Sequence, residues 1–401
     1  MRAIALVATL AWSTGAALGQ VTGDDLYGIV RQYSDLGVHR VGTPVDAQTI
    51  EWFAKQLENR GGKVERQPFT FDRFEGTSTV TINGREISSM PLFYEGVGDV
   101  ESDSPFVAAA VPMTGDRISK ELSDAIAKAR TAGAKVAVIA TKNPLGLLEP
   151  ANQVAKLGSG LPVILVPGSA ADDFQTGKVK VRYSAKIVKG ESANVVATFG
   201  DTSKQPIVIA TPLSGWFTCA AERGTGIAVA LGLVQRLAPN HPIIVVGTPG
   251  HELLYIGLQA YLERNMLDPA IVIHLGANVA LGIKDPNTGQ IRLAPGIDDP
   301  AKMQSAGRTL YVRMPPQAFA ALKPIFAEAD LPPVLNPPRW NGEGELWANA
   351  VKSPLISFVG IGPRFHTPGD VPDEVTSPML LNTVYLSLGK AIDVFIANPP
   401  R

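Results

Sequence analysis

The 401-residue chain has one cysteine, Cys219, so it forms no internal disulfide in any compartment and depends on its core for stability. It has no long run of charge of one sign, and 36 Lys and Arg against 37 Asp and Glu leave a formal net charge of -1. No basic face is suggested, so nucleic acid is not an expected partner. Beyond the N-terminal stretch no apolar run reaches spanning length, so stable membrane insertion is not expected either. No Gly-x-Ser-x-Gly elbow occurs, which argues against a serine hydrolase. No glycine fingerprint for a dinucleotide follows a first strand.

What is present is a chain that is 45% hydrophobic and 18% charged with 39 Gly and 32 Pro, the composition of a loop-rich globular protein with an ample core. Its length suggests two domains. The N-terminus has the pattern of a secretory leader: Arg2, an apolar core over 3–12, then small residues at Ala17-Leu18-Gly19. Cleavage after Gly19 and an exported protein, periplasmic or extracellular, are expected. No Cys follows the small residues, so a lipid anchor is not.

Helical periodicity marks 24–37 and 46–60, with Ile50, Phe53, Ala54 and Leu57 on one face of the second. Residues 63–71 and 77–83 read as two strands. Residues 101–189 read as a compact α/β unit: strands at 106–112, 134–141 and 161–166 and an amphipathic helix over 119–132. From 192 to 401, β-branched runs at 194–199, 207–210, 243–247 and 270–275 alternate with helices at 224–237 and 253–265. A strand at 309–313 and a helix at 316–329 follow. Alternation of this kind predicts an α/β fold with a mixed, mainly parallel sheet flanked by helices.

Three stretches sit where apolar strands end, the edge at which open α/β sheets place their sites. They are IVIATPLSGWFTCAAERGTG at 207–226, VVGTPGHELLYIGL at 245–258 and FHTPGD at 365–370. His251 and His366 fall on these stretches, His274 falls on the predicted site loop IHLGANVA at 273–280, and His39 lies on the first loop. Each histidine has a second reading, as a hydrogen-bonded loop or core residue, and for His274 that reading is the stronger. Glu222-Arg223 reads equally as a metal contact and as a structural ion pair. Trp216, Phe217 and Trp340 suggest an aromatic wall for a ligand, or simple packing. Arg364 suggests a partner for a substrate carboxylate, or a solvated loop charge. Cys219 reads as a small buried hydrophobe.

The order of these motifs resembles the co-catalytic zinc aminopeptidase family, which includes glutamate carboxypeptidases and glutaminyl cyclases. The resemblance begins at His39-Arg40-Val41-Gly42-Thr43-Pro44, continues through SANVVATFG at 192–200 and covers nearly the whole mature chain. ARTAGAKVAVIATKN at 129–143 and LPVILVPGSAADDF at 161–174 resemble the protease-associated insertion of secreted exopeptidases. The resemblance implies a zinc-exopeptidase-like catalytic domain over 20–100 and 190–401, interrupted by that insertion. The family's His-x-Asp falls on Thr211-Pro212-Leu213, its bridging Asp on Glu222, its Glu-Glu pair on His251-Glu252, its later Asp on Gly276 and its closing His on His366.

One metal site has thus lost its private ligands. The other keeps Glu222, Glu252 and His366, an acceptable three-ligand set for one zinc with a fourth position for water. His251 takes the place of the family's general base, and an imidazole, with an unperturbed pKa of about 6.5, suits that work. The implied protein is an exported metallopeptidase-like hydrolase of a peptide or amino-acyl amide. The alternatives are a catalytically inactive binding or scaffold protein and a one-metal cyclase or lyase. The sequence carries no signal for oligomeric state.

Overall fold

The computed structural model describes residues 20–112, 119–298 and 306–398; the expected leader, 1–19, lies outside the described residues. Local capping starts the first two helices. In α1 (Gly23–Asp35) the Thr22 hydroxyl accepts the Asp25 N–H while the Asp25 carboxylate accepts the Thr22 N–H, a reciprocal capping box. In α2 (Pro44–Glu58) the Thr43 hydroxyl accepts the Asp46 N–H and Pro44 occupies the first turn, where no N–H is needed. The buried faces, Leu26, Ile29, Val30 and Tyr33 and then Ile50, Phe53, Ala54 and Leu57, follow the helical repeat.

The two strands expected at 63–71 and 77–83 are one, β1 (Lys63–Ile82). Asn83 and Gly84, at φ 52° and 83°, then turn the chain into β2 (Arg85–Ile87). A second, four-stranded sheet follows from β3 (Met90–Pro91), β5 (Phe106–Pro112), β6 (Ala137–Lys142) and β7 (Val163–Pro167), in the order β3-β7-β6-β5. Helix α3 (Lys120–Thr131) packs Leu122, Ala125, Ile126 and Ala129 against it. Strand β4 (Gly98–Ser102) instead joins the large sheet. The chain returns through β8 (Val179–Phe199), which pairs antiparallel with all of β1, from Lys63 opposite Thr198 to Ile82 opposite Val179. This partner supplies a ladder across the polar stretch 72–76 and explains why local composition suggested a break there. The expected boundary at 189/190 therefore falls inside a strand.

The large sheet has the order β15-β14-β16-β11-β9-β10-β8-β1-β2, with β4 on β8. It is built further from β9 (Ile207–Pro212), β10 (Ile243–Thr248), β11 (Ile271–Leu275), β14 (Gly307–Arg313), β15 (Pro333–Leu335) and β16 (Leu355–Ile361). The central four, β10, β9, β11 and β16, are mutually parallel, and β8–β10 and β14–β16 are antiparallel, giving the mixed α/β sheet expected. A small hairpin, β12 (Gly282–Lys284) with β13 (Ile291–Leu293), stands apart. One face is covered by α1, α4 (Thr225–Leu237), α6 (Pro316–Ala327) and α9 (Pro378–Ala397). The other is covered by α5 (Ile256–Arg264) and α7 (Glu343–Ala350), through Leu258, Tyr261 and Trp347. Each fully buried Leu or Val on these faces contributes about 1.5–3 kcal/mol relative to exposure. By length and apolarity α9 is able to cross a membrane, yet it packs on α1, α4 and α6 as a core helix.

Candidate functional site

Because β9, β10, β11 and β16 run parallel, the loops at their carboxyl ends gather at one edge of the sheet. The first loop is laced to the loop after β9: His39 N–H donates to Phe217 O at 3.1 Å, and Gly215 N–H donates to His39 O at 3.0 Å. The His39 ring lies 3.8 Å from and 7° off parallel to the Tyr33 ring, and its burial pushes its pKa down to about 3, so it is a neutral structural residue.

After Trp216 the chain takes left-handed backbone at Cys219 (φ 50°), then a π-helical turn over Ala220–Gly224 that leads into α4. Such turns are often found at functional sites. The Asp370 carboxylate, in the turn before α8 (Pro372–Val375), holds this one by accepting the N–H groups of Ala221 at 2.7 Å and Glu222 at 3.1 Å. At the centre stands Arg223, 0% exposed. Its guanidinium donates to Ser214 O at 2.9 Å, Gly276 O at 3.1 Å and Glu222 Oε1 at 2.6 Å. His366 Nε2 lies 3.2 Å from the same Glu222 oxygen, and its Nδ1 donates to Pro150 O at 3.1 Å. Burial alone would raise the Glu222 pKa, but the charges of Arg223 and His366 override it and hold the carboxyl at about 2.

Glu252 faces elsewhere. Its Oε1 accepts the Val41 N–H at 2.7 Å and its Oε2 accepts the Ser214 hydroxyl at 2.6 Å. Burial raises its pKa to about 7. Ser214 Oγ also accepts the Gly250 N–H at 2.6 Å, so one serine ties the end of β9 to the loop after β10. His251 Nδ1 is 3.2 Å from Glu343 Oε1, with Tyr255 edge-on at 4.8 Å. His274 Nδ1 is 2.8 Å from Ser357 Oγ and its Nε2 is 3.8 Å from Glu343 Oε2. Glu343, at the start of α7, is therefore a second buried carboxylate set among histidines.

Of the expected ligands, Glu222 and His366 come together, and Glu252 is engaged by Ser214 and Val41. Among the described residues no group of three or more His, Cys, Asp or Glu side chains is placed to hold a metal ion. The ion-pair reading of Glu222-Arg223 is the one that the geometry forms. Trp216 is a packing residue, not a ligand wall: it is 1% exposed, donates to Asn152 Oδ1 at 3.0 Å and meets Phe93 edge-on at 5.2 Å. Arg364 is committed to Glu374 at 2.6 Å. Cys219 is buried in the main core. Sequence reasoning missed the roles of Glu343, Asp370 and Ser214. Only the Thr-Pro-x-Asp turn that ends FHTPGD pointed toward one of them, Asp370.

This sheet order and loop placement recur in solved structures. BSAP, a zinc aminopeptidase from Bacillus subtilis, superposes with a TM-score of 0.68 at 16% identity, over 94% of this chain and 95% of that one. An aminopeptidase from Aneurinibacillus sp. strain AM-1 gives 0.60 at 17%, over 95% of both chains. The Peptidase M28 precursor from Shewanella amazonensis SB2B gives 0.66 at 16%, over 94% and 95%. The chain has the zinc-aminopeptidase fold. No protein-family model and no curated protein matches its sequence.

The fold thus brings zinc into question, and the residues here do not fit it. A divalent ion at Glu222 would face a fully buried guanidinium already bonded to that carboxylate. Glu252 has a donor on each oxygen. At Gly276, where the resemblance places an acidic ligand, an added Cβ would lie 2.6 Å from Phe358 O and 2.6 Å from His274 Cε1. No side chain enters there without moving backbone.

Proposed function

We propose that this chain is a ligand-binding protein built on the aminopeptidase fold, taking peptide or amino-acyl compounds without metal-dependent hydrolysis. The observation that carries the reading is the Arg223 guanidinium on Glu222. A fixed internal cation balances the carboxylate where the one-metal hydrolase expectation needs an exchangeable ion. Peptide-like ligands are the class suggested by the fold's aminopeptidase examples.

Protein purified without chelator is expected to carry well under one zinc per chain. Its melting temperature should not change with EDTA or excess zinc. An ion bound to the folded state at 100 times its Kd would add about 2.7 kcal/mol. Free-amine aminoacyl anilides should not be cleaved. One zinc per chain that disappears in His366→Ala, together with anilide turnover, would restore the hydrolase instead.

The reading includes export, supported by Arg2, the apolar core and Ala17-Leu18-Gly19. Mass spectrometry of secreted or periplasmic material should find a mature start at Gln20. An intact Met1 on such material would remove this part.

A further inference from the structure

A cavity of about 320 Å³ opens between the first loop, β1 and the segment before β4, with Glu252 and Leu253 on its inner wall. Arg40 and Arg73 both line it, together with Phe74, Phe93 and Tyr94. The two arginines differ in what they touch. Arg73 is paired with Glu75, which also serves Lys186 at 3.4 Å. The Arg40 guanidinium lies 4.5 Å over the Phe93 ring and forms no ion pair among the described residues. The Nε atoms of both arginines are buried without a hydrogen-bond partner. Buried donors without acceptors are rare enough that each one asks for an explanation.

The lining carries Arg40 and Arg73 against Glu75 and Glu252. Glu75 is paired with Arg73, and both Glu252 oxygens are held by Val41 and Ser214, so among the described residues no carboxylate is hydrogen-bonded to the Arg40 guanidinium. Burial holds the Arg40 guanidinium below its usual pKa; the charge of Glu252 favours the cation and that of Arg73 opposes it.

The arrangement is also built rather than loose. Gly42 has φ 74°, and a Cβ there would stand 2.8 Å from Arg73 Cδ, so glycine leaves room for that side chain. Tyr94, itself at φ 60°, donates its hydroxyl to Asp72 O at 2.8 Å and accepts the Phe74 N–H at 3.3 Å, which fixes the aromatic wall.

We infer that this cavity binds a carboxylate on an apolar or aromatic body, with the Arg40 fork on the carboxylate and the body against Phe74, Phe93 and Tyr94. A guanidinium fork matches a carboxylate in two parallel hydrogen bonds, and small-ligand sites combine such a polar anchor with apolar walls. The inference rests on the ligand-binding reading above by naming the class of ligand.

The test is calorimetric titration of the full chain with N-acetylphenylalanine and with its neutral amide. The acid is expected to bind saturably and the amide at least about 10-fold more weakly. Arg40→Gln should weaken the acid at least about 10-fold without affecting the amide, and Arg40→Lys should fall between, since it keeps the charge and loses the fork. Removing a cation that repels Arg73 should not cost the fold, and a melting curve checks this. Equal binding of acid and amide, no binding of the acid, or an undiminished Arg40→Gln would each overturn the inference. The ligand's amine is acylated, so the result is independent of aminopeptidase turnover. Turnover or bound zinc would sink the metal-free reading and leave this pocket standing.

Discussion

Arg223→Ala is expected to destabilise the chain by about 3–5 kcal/mol, the range for removing one partner of a buried ion pair. The guanidinium is 0% exposed and bonds Glu222 Oε1, Ser214 O and Gly276 O. Alanine leaves two buried carbonyls without these donors, each costing about 1–3 kcal/mol if nothing replaces them. It also leaves Glu222 in the core with His366 as its nearest cation. The double variant Glu222→Gln, Arg223→Met should recover only the part due to the unpaired Glu222 charge, because methionine restores no donor to Ser214 O or Gly276 O. Urea unfolding at pH 7, read as the midpoint at constant m, measures both. A loss below about 1 kcal/mol for Arg223→Ala would mean that water or a solute ion reaches the site and that Arg223 is not its internal cation.

The legible part of this protein is the part written in short-range pattern. The runs at 207–210, 243–247 and 270–275 are buried parallel strands because they are apolar on both faces, and the observed β9, β10 and β11 follow them within two residues. Helix α2 was visible from Ile50, Phe53, Ala54 and Leu57 alone. What local pattern does not carry is pairing at a distance. Strand β1 reads as two because its continuity comes from β8, more than a hundred residues later.

The site behaves in the same way. Glu222 next to Arg223 offered an ion pair by adjacency, and that pair forms. Glu343 left no signal, because its partners His251 and His274 are 92 and 69 residues away and it lies beyond a Pro-rich, irregular stretch. The resemblance puts Glu252 at a ligand position, but position in the chain does not say where a side chain turns. The Ser214 hydroxyl and the Val41 N–H take both its oxygens.

Glu343→Gln gives the second large effect, and pH gives its signature. Glu343 is 1% exposed and joins three elements: α7, which carries it, the end of β10 through the Thr248 hydroxyl at 3.2 Å and His251, and β11 through His274. Burial opposes its charge, yet the two histidines outweigh burial and bring its pKa from 4.5 to about 2. The ionised form is therefore favoured by folding. Its contribution is fully present above pH 4.5 and is lost as pH falls from 4.5 through about 2. At about 1.4 kcal/mol per pKa unit this amounts to roughly 3 kcal/mol, which Gln forfeits at pH 7. The urea midpoints of wild type and Glu343→Gln should thus stand well apart at pH 7 and converge toward pH 3. Glu374→Gln is the control: Glu374 bridges Lys284 and Arg364 at 29% side-chain exposure, where ion pairs are worth about 0–1 kcal/mol. A gap for Glu343→Gln that does not narrow with acid would show that Glu343 folds as the neutral acid. In that event the contacts from His251 and His274 do not hold the Glu343 carboxylate ionised.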